Sequence, residues 1–416
     1  MIFGDPRAGE QIQGKKLRAL LEQRCGGNLG MFKHAIKGLV EAKRLTLDNC
    51  DLPTLWRTFV LGDAHIDGSP PQNLFEAASL GHARMLREAD FGVRATGFLD
   101  ITGQLIFSSI RESFEAEAPV FAPLIGQEKS AFLDAERVPE VVPLSDADIQ
   151  PTAEGQRIPE VELGEAFYTL PAKQKRGGIV SLTKELLFAM QATKLNETLR
   201  KKSAAIGTAA ARQVENEIID VITGTTNNYV RNGTAENTFQ LANSINDAVG
   251  TTLVDWTDVE AAIRLFDDLT HPDTGESLAM SDSGLFILCS PALLYSANRI
   301  TRATDIRTDT NEAAGNTKQE FIAPNPLPPL QVASSRRYKQ RLVNQGGFTA
   351  AQADGLWILC NPKLFVSWIE NWGITLEQQA AQSNAGFERD IEARWKATYR
   401  GVAAVRERRA AVRQRV

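Results

Sequence analysis

A long stretch without proline constrains the fold of this chain more than any other feature. Residues 183–222 read TKELLFAMQATKLNETLRKKSAAIGTAAARQVENEIIDVI, and at 1.5 Å per residue such a helix extends about 60 Å. Thr183 is the predicted N-cap, Gly207 is a candidate for a bend, and Gly224 is the predicted stop. One apolar stripe, with steps of four or seven residues, runs along the helix: Leu195, Leu199, Ile206, Ala210, Val214, Ile218 and Ile222.

The segment before this helix, residues 127–180, shows no helical pattern. Strand-forming residues at its two ends predict a long hairpin-like arm, with one strand near 137–144 and its return near 161–180. The arm is acidic and poor in large apolar residues, so it cannot bury itself and we expect it to lie on another surface. Prolines interrupt it at several positions, among them Pro139, Pro143, Pro151 and Pro159.

The flanking regions differ in character. Residues 1–94 predict short helices on an extension, in GKKLRALLEQR, GMFKHAIKGLVEAKRL and QNLFEAASLGHARMLREADF. Residues 97–126 predict a helix after an extended lead, and Pro119 and Pro123 then impose an extended path.

Residues 239–365 predict a compact α/β region. Asp255 or Thr257 caps a helix in DWTDVEAAIRLFDDL, and a second helix opens with proline in PALLYSANRITRAT. The buried strands in GLFILCSP and GLWILCNP are candidates for neighbours in one sheet, and a polar loop is predicted over 305–319. After this region, strict alternation in DIEARWKATYR predicts a strand with one packed face.

Charge is distributed unevenly along the chain. Ten acidic and three basic residues lie between Glu128 and Glu165, whereas eight basic and two acidic residues lie between Tyr168 and Lys202. Such neighbouring blocks are typical either of self-complementary surfaces between copies or of ordinary solvated faces.

The C-terminal region, 389–416, is also basic, with nine basic and three acidic residues. No aromatic residue interleaves its arginines, which disfavours base stacking. A solvated or protein-contacting strand is the favoured interpretation, and contact with DNA phosphates is the alternative. The arginines concerned are Arg406, Arg408, Arg409, Arg413 and Arg415.

Composition and motifs argue against an enzyme. Hydrophobic residues make up 43% and charged residues 23%, as in ordinary globular proteins, and the net charge of −5 does not indicate a nucleic-acid binder. The phosphate-binding, nucleophile-elbow, HExxH and GxGxxG motifs are missing from the sequence. His65 in DAHID is weighed as a metal ligand against an exposed loop histidine, which is favoured. We therefore predict no catalytic residue, no cofactor and no metal.

Cysteine usage and apolar runs indicate the compartment. The four cysteines are widely spaced, which favours reduced thiols inside a cell. We expect neither a signal peptide nor a membrane span, because no apolar run has the required length or flanks.

The order of these parts resembles the major capsid proteins of tailed double-stranded DNA bacteriophages, the Hong Kong 97-type fold. GFLDITGQLIFSSIRESFEAEAPVF is similar to the start of the capsid core, and DIQPTAEGQRIPEVELGEAFYTLPAKQKRGGIVSLTKELL to the extended loop that runs into the spine helix. AARQVENEIIDVITG resembles the end of that helix and FERDIEARWKATYRGVAAV the closing strands. The resemblance covers residues 95–416.

The resemblance implies an α+β fold over residues 95–416. Its parts are an N-terminal arm (95–126), an extended β-loop (127–180), a peripheral domain with the spine helix (181–238), an α/β axial domain (239–365) and the closing strands of the peripheral domain (366–416). Residues 1–94, the helical extension, lie outside the resemblance, and two interpretations stay open: a scaffold-like segment that a maturation protease removes, or a retained arm.

For function, the resemblance implies a major capsid protein of a phage or prophage that self-assembles as pentamers and hexamers into an icosahedral shell. Its partners would be copies of itself, non-specifically packaged double-stranded DNA and, in some systems, scaffold, maturation protease, portal and decoration proteins. It would assemble in the bacterial cytoplasm, become part of the virion, and bind no membrane.

Charged residues of the arm, the helix and the closing strand are the predicted contacts between subunits. Gly177 and Gly178 are the predicted hinge where the arm joins the body. The contact candidates are Glu154, Glu160, Glu162, Lys173, Lys175, Arg176, Arg200, Lys201, Lys202, Arg394 and Arg400. Two other functions stay open: an encapsulin-like nanocompartment shell, and a soluble enzyme built on residues 239–365.

Overall fold

The chain folds into two compact units, seen in a computed structural model. Unit 1 comprises Met1–Ala118, Lys175–Arg212 and Trp372–Tyr399, and unit 2 comprises Pro119–Gln174, Gln213–Asn371 and Arg400–Val416. The structure describes residues 29–42, 45–47, 50, 52, 91–141, 165–183, 192–226, 229–240, 246–250, 252–275, 284–310, 319–380 and 391–416.

Helices and strands are mixed along these residues. The helices are α1 (Leu29–Glu41), α2 (Phe91–Ala116), α3 (Ala192–Ile222), α4 (Trp256–Asp267), α5 (Leu294–Arg302), α6 (Tyr338–Gln345), α7 (Ala350–Gly355) and α8 (Pro362–Phe365). The strands are β1 (Gly126–Lys129), β2 (Glu136–Val141), β3 (Glu165–Leu170), β4 (Gln174–Thr183), β5 (Tyr229–Arg231), β6 (Thr234–Glu236), β7 (Asp247–Val249), β8 (Phe286–Cys289), β9 (Asp305–Thr310), β10 (Gln319–Pro324), β11 (Gln331–Ser334), β12 (Trp357–Cys360), β13 (Val366–Ala380), β14 (Ile391–Val405) and β15 (Ala411–Arg415).

The predicted long helix is confirmed as α3 from Ala192 onward. Thr183, the predicted N-cap, is the last residue of β4, and residues 184–191 lie outside the described part of the chain. The helix ends as predicted, since Gly224 adopts a positive φ of 71° two residues after Ile222. Its apolar stripe is buried apart from the half-buried Ile206.

Gly207 does not bend or break the helix, because α3 continues through it without interruption. A Cβ at this position would lie 3.1 Å from the carbonyl carbon and the amide nitrogen of two α2 residues, Ile110 and Phe114, and closer still to the Ile110 oxygen. Gly207 therefore serves a close approach of two helix backbones.

The core of unit 1 lies between α1, α2, the N-terminal part of α3 and the strands β4 and β14. Trp395 is fully buried at its centre together with Leu105 and Leu199. Helix α2 starts at Phe91, so the extended lead predicted for 97–126 is wrong; the helical pattern begins earlier and continues to Ala116.

The alternation predicted for the closing strand is confirmed in β14. Its packed face is buried, as are the small residues that follow toward its end. Thr398 departs from the pattern, since it is buried on the polar face, where it contacts the Thr375 hydroxyl at 3.2 Å. The residues of the packed face are Ile391, Ala393, Trp395, Ala397 and Tyr399.

Strands β13 and β14 form the centre of a four-stranded sheet in the order β1-β13-β14-β4. Strand β1 pairs in parallel with β13, with Gly126 opposite Ser367. Strand β4 lies at the other end of this order.

A five-stranded sheet organises the α/β region of unit 2, in the order β11-β8-β12-β15-β7. Strands β8 and β12 are antiparallel neighbours, which confirms the prediction for the two similar sequences. The central strand β12 is completely buried, and Phe266, Ile287 and Trp357 belong to the same core.

Two helix starts in unit 2 test the sequence prediction. Asp255 caps α4, accepting a hydrogen bond from the Thr257 amide and forming a capping box with Asp258. Helix α5 begins at Leu294 and not at the predicted proline, because the three residues before it form a turn. The predicted polar loop 305–319 is instead framed by the antiparallel pair β9 and β10.

The predicted arm is confirmed in part. Strands β2 and β3 pair antiparallel, with Glu136 opposite Leu170, and they continue into β5 and β6. The predicted return over 161–180 divides into β3 and β4, and β4 joins a different sheet. Residues 142–164 lie outside the described residues.

Candidate inter-subunit surfaces

Lys173 was a predicted contact with a neighbour, but the structure places it in the interior of unit 2. Its side chain is 0% exposed, and its ammonium group lies 3.0 Å from the Glu136 carboxylate of the same chain. The Ser130 hydroxyl also donates to Glu136, and this bond, with the Lys173 contact, lowers the pKa of Glu136 despite partial desolvation. A buried ammonium group needs such a partner, so Lys173 acts within its own fold.

Next to this buried pair lies a loop that joins β1 to β2, and two further side chains hold it by hydrogen bonds. The Asn371 amide donates to the carbonyl oxygen of Phe132 at 2.8 Å and to that of Ser130 at 2.5 Å. Arg400, another predicted contact, donates to the carbonyls of Leu133 and Lys173 at 3.1 and 3.0 Å. Hydrogen bonds from charged groups to backbone oxygens are among the stronger ones, so the loop is well fixed.

This fixed loop presents apolar side chains to solvent. Phe132 is 64% exposed and Leu133 is 45% exposed. Two adjacent large apolar side chains at the tip of an ordered loop are suited to a protein contact. Nothing in the local pattern SAFLDAE predicts this exposure.

Other large apolar side chains are also exposed. Ile179 of β4 is 62% exposed and Tyr295 of α5 is 84% exposed. Tyr295 lies one turn before Arg299, whose guanidinium contacts the carbonyl of the exposed Val254. None of these residues is singled out by a sequence pattern, because their exposure is visible only in the fold.

Four of the predicted basic residues are exposed. On α3 of unit 1, three consecutive exposed side chains form a basic turn, and Lys201 pairs there with Glu197 at 2.6 Å. Lys175 of β4 is exposed and interacts electrostatically with Glu377, which also pairs with Lys396. The exposed set is Lys175, Arg200, Lys201 and Lys202.

The remaining predicted contacts are less accessible or not described. Arg176 and Arg394 are half-buried, and the Arg394 Nε is buried. Glu154, Glu160 and Glu162 lie outside the described residues. The structure thus brings Lys173 and Arg400 to one loop of unit 2, and leaves the exposed lysines and arginines as the accessible basic surface of unit 1.

The predicted hinge, Gly177 and Gly178, lies in the middle of strand β4. A Cβ at Gly177 would lie 2.8 Å from the Thr398 methyl carbon and closer still to the Ala397 carbonyl oxygen. A Cβ at Gly178 would lie 3.1 Å from the Ile206 side chain of α3. Neither has a positive φ, so their absent side chains allow close packing within unit 1.

The C-terminal arginines, weighed above as a DNA-contacting tail, each form an ion pair in this chain. Arg406 pairs with Glu128, Arg408 with Glu236 and Arg409 with Glu407. Arg413 lies 2.7 Å from Asp247 through a bidentate contact, and Arg415 contacts the same carboxylate at 3.2 Å. Every carboxylate in these pairs belongs to unit 2.

Two further features of unit 2 are structural. Arg231 contacts Glu140 of β2 at 3.2 Å and makes a bidentate contact with Asp273.

Burial raises the pKa of the Cys289 thiol to about 12, and it raises the pKa of the Cys360 thiol further. Neither thiol is therefore a reactive nucleophile.

Metal-binding side chains do not gather among the described residues. These hold no cluster of three or more His, Cys, Asp or Glu side chains arranged for a metal ion, and His65 lies outside them. None of the described helices combines the length and apolar character that crossing a bilayer requires.

The described residues combine a paired β-arm, a 31-residue helix and long closing strands in an α+β fold. Residues 168–414 match the family described as Phage capsid protein, which is more than half of the sequence, and the chain belongs to this family. The resemblance to the Hong Kong 97-type capsid proteins is thereby confirmed. No curated protein matches the chain.

Solved structures similar to the chain are capsids and related particles. The capsid of cyanophage P-SCSP1u shows 12% identity and a TM-score of 0.43, covering 72% of this chain and 88% of that one. The capsid of cyanophage Pam1 shows 13% identity and a TM-score of 0.42, covering 71% and 90%. A virus-like particle from Pyrococcus furiosus shows 8% identity and a TM-score of 0.37, covering 74% and 98%.

Proposed function

We propose that this capsid protein is the major head protein of a tailed bacteriophage, and that it assembles as pentamers and hexamers into an icosahedral shell around double-stranded DNA. Membership of the Phage capsid protein family over residues 168–414 carries the proposal. In the same proposal, 239–365 forms the axial domain, 181–238 and 366–416 form the peripheral domain, and 127–180 is the extended loop.

The contacts between copies would combine charge and apolar burial. The exposed basic surface of unit 1 is Lys175 with Arg200–Lys202, and the acidic stretch from Glu128 to Glu165 supplies opposite charge. The exposed tip at Phe132 and Leu133 supplies apolar area. Many such weak contacts, repeated by symmetry, give a stable assembly.

Contact with the packaged DNA would be non-specific. The C-terminal arginines are paired with carboxylates of their own chain, so they contribute less positive field than their number suggests. We therefore expect only a few basic groups of each subunit to contact the DNA. Portal, scaffold, maturation-protease and decoration proteins complete the proposed partners, with assembly in the bacterial cytoplasm.

Electron microscopy of the purified protein tests the proposal. We expect closed, uniform particles with five- and six-fold capsomers, in which DNA is found when the particles come from infected or induced cells. A monodisperse monomer would contradict it and favour the enzyme on 239–365. Closed particles that contain a cargo enzyme and no DNA would contradict the phage role and favour a nanocompartment.

A further inference from the structure

An apolar surface of unit 1 is covered by a segment from the N-terminal part of the chain. Helix α1 and the residues that follow it, 29–52, contribute the covering side chains. They are buried to the same degree as the rest of the core, with at most 2% exposure: Ile36, Leu45, Leu47, Cys50 and Leu52.

The receiving surface comes from three elements that are distant in sequence. Leu105 and Ile106 belong to α2, Leu199 to α3 and Trp395 to β14, and all lie in one buried cluster with the covering residues. Removing the segment would expose these side chains to water, which is strongly unfavourable for a continuous apolar surface.

A buried polar contact fixes the position of the segment. The Asn196 amide of α3, 5% exposed, donates a hydrogen bond to the Cys50 carbonyl. Without the segment this amide would lose its protein partner, and only water could replace the Cys50 carbonyl. The contact is specific to one register of the segment on α3.

We propose that residues 29–52 are a permanent part of the folded subunit, bound to unit 1 by packing that does not depend on the covalent connection through residues 53–90. The segment is then neither a scaffold-like piece nor a maturation product that leaves the shell. Any removable precursor segment would have to end before Leu29. The part of this inference that concerns the shell rests on the proposed function.

The test uses a full-length chain with a site-specific protease sequence inserted between residues 60 and 80. After cleavage of the purified protein, we expect the two fragments to co-elute in size-exclusion chromatography and to separate only in denaturant. The thermal midpoint of the nicked protein should stay close to that of the uncut chain. Elution of the small fragment by itself from an otherwise folded large fragment would overturn the proposal.

A matched pair of variants tests whether the buried side chains of residues 29–52 hold this segment on unit 1. Ile36→Asp with Leu45→Asp places two carboxylates in the core, and we expect the nicked protein to release at least tenfold more small fragment. Met31→Asp with His34→Asp adds the same two carboxylates at exposed positions of α1 and should release no more than the parent. Equal release from both variants would contradict the assigned surface.

A mass measurement on particles isolated from cells tests the inference without any variant. We expect every shell subunit to retain residues 29–52, whether as one chain or as two. Shells built from subunits that begin after Leu52 would overturn it. Because co-elution is measured on the free subunit, it can succeed or fail independently of shell formation.

Discussion

The buried ammonium group of Lys173 is accommodated by the Glu136 carboxylate at 3.0 Å and the Asp134 carbonyl oxygen at 3.5 Å. In the sequence AKQKRGG it is indistinguishable from its exposed neighbour Lys175. Burial separates the two: one stabilises the fold and the other remains available for a partner.

We expect Glu136→Ala to destabilise unit 2 by about 3 kcal/mol, because it leaves the Lys173 charge buried without its partner. Lys173→Met should cost less, since it removes the charge and keeps most of the side-chain volume. Lys175→Met is the matched control and should change stability little. Chemical denaturation measures all three, and a Glu136→Ala variant as stable as the parent would contradict the role of the pair.

Glu215 offers a second test at the residue scale. Its carboxylate accepts a hydrogen bond from the Phe121 amide at 3.3 Å, and burial raises its pKa above the ordinary 4.5, partly offset by a hydrogen bond from Ser335. The folded state therefore binds this proton more tightly than the unfolded state does. Its contribution to stability is fully present below pH 4.5 and is lost as the pH rises through the folded pKa.

We therefore expect Glu215→Gln to gain stability relative to the parent as the pH rises from 4.5 to 8, provided that the amide keeps the same hydrogen bonds. Urea unfolding at several pH values gives the difference in free energy, in which the contributions of the other carboxylates cancel. A difference that does not change with pH would contradict the assignment.

At the scale of elements, α3 was predictable over its described length because its apolar stripe and its terminal glycine are local signals. The role of Gly207 was not predictable, since the sequence shows a glycine but not the helix that approaches it. The same holds for Gly177 and Gly178, where a flexible joint was predicted and the structure shows close packing within a strand.

Substitution of the helix glycines separates packing from helix propensity. Gly207→Ala should destabilise unit 1 by about 2 kcal/mol or more, because the new methyl group meets the α2 backbone. Gly38→Ala on α1 has open space around it and should instead stabilise by up to about 1 kcal/mol. Thermal unfolding of the two variants measures the contrast, and equal shifts would contradict the close approach.

Strand predictions succeeded where alternation was strict or where two strands had similar sequences, and failed where a strand pairs with a distant partner of unrelated sequence. The packed face of β14 follows directly from DIEARWKATYR, and the pairing of β8 with β12 follows from their similar sequences. The division of the predicted return strand into β3 and β4 depends on partners more than fifty positions away in sequence, β5 and β14. No local pattern encodes such partners.

For the whole molecule, charge reversal on the accessible surface tests assembly apart from folding. Changing Lys175, Arg200, Lys201 and Lys202 to Glu should lower particle yield about tenfold or more, because a small loss per contact is multiplied over the shell. The melting temperature of the free subunit should change little, since exposed ion pairs add little to stability.

Two exposed helix arginines with local partners provide the matched control. Arg111→Glu and Arg264→Glu remove the same kind of charge from pairs with Glu115 and Glu260, and they should assemble normally. Electron microscopy and sedimentation count the particles. Normal yield from the fourfold variant would refute the proposed basic surface.

The order of strands in the five-stranded sheet has a consequence for biosynthesis. Strand β15 lies between β12 and β7, and Arg413 reaches Asp247 across 166 positions of sequence. At about 5–20 residues per second, a ribosome needs on the order of 10–30 s to synthesise that interval. Until β15 has been synthesised, β12 and β7 have no strand between them and the Asp247 carboxylate lacks Arg413 as its partner. A nascent chain therefore cannot close the sheet. Translation itself thus delays the closure of this sheet until β15 has been synthesised, and we expect a chain that ends before β15 to leave β12 and β7 without the strand between them.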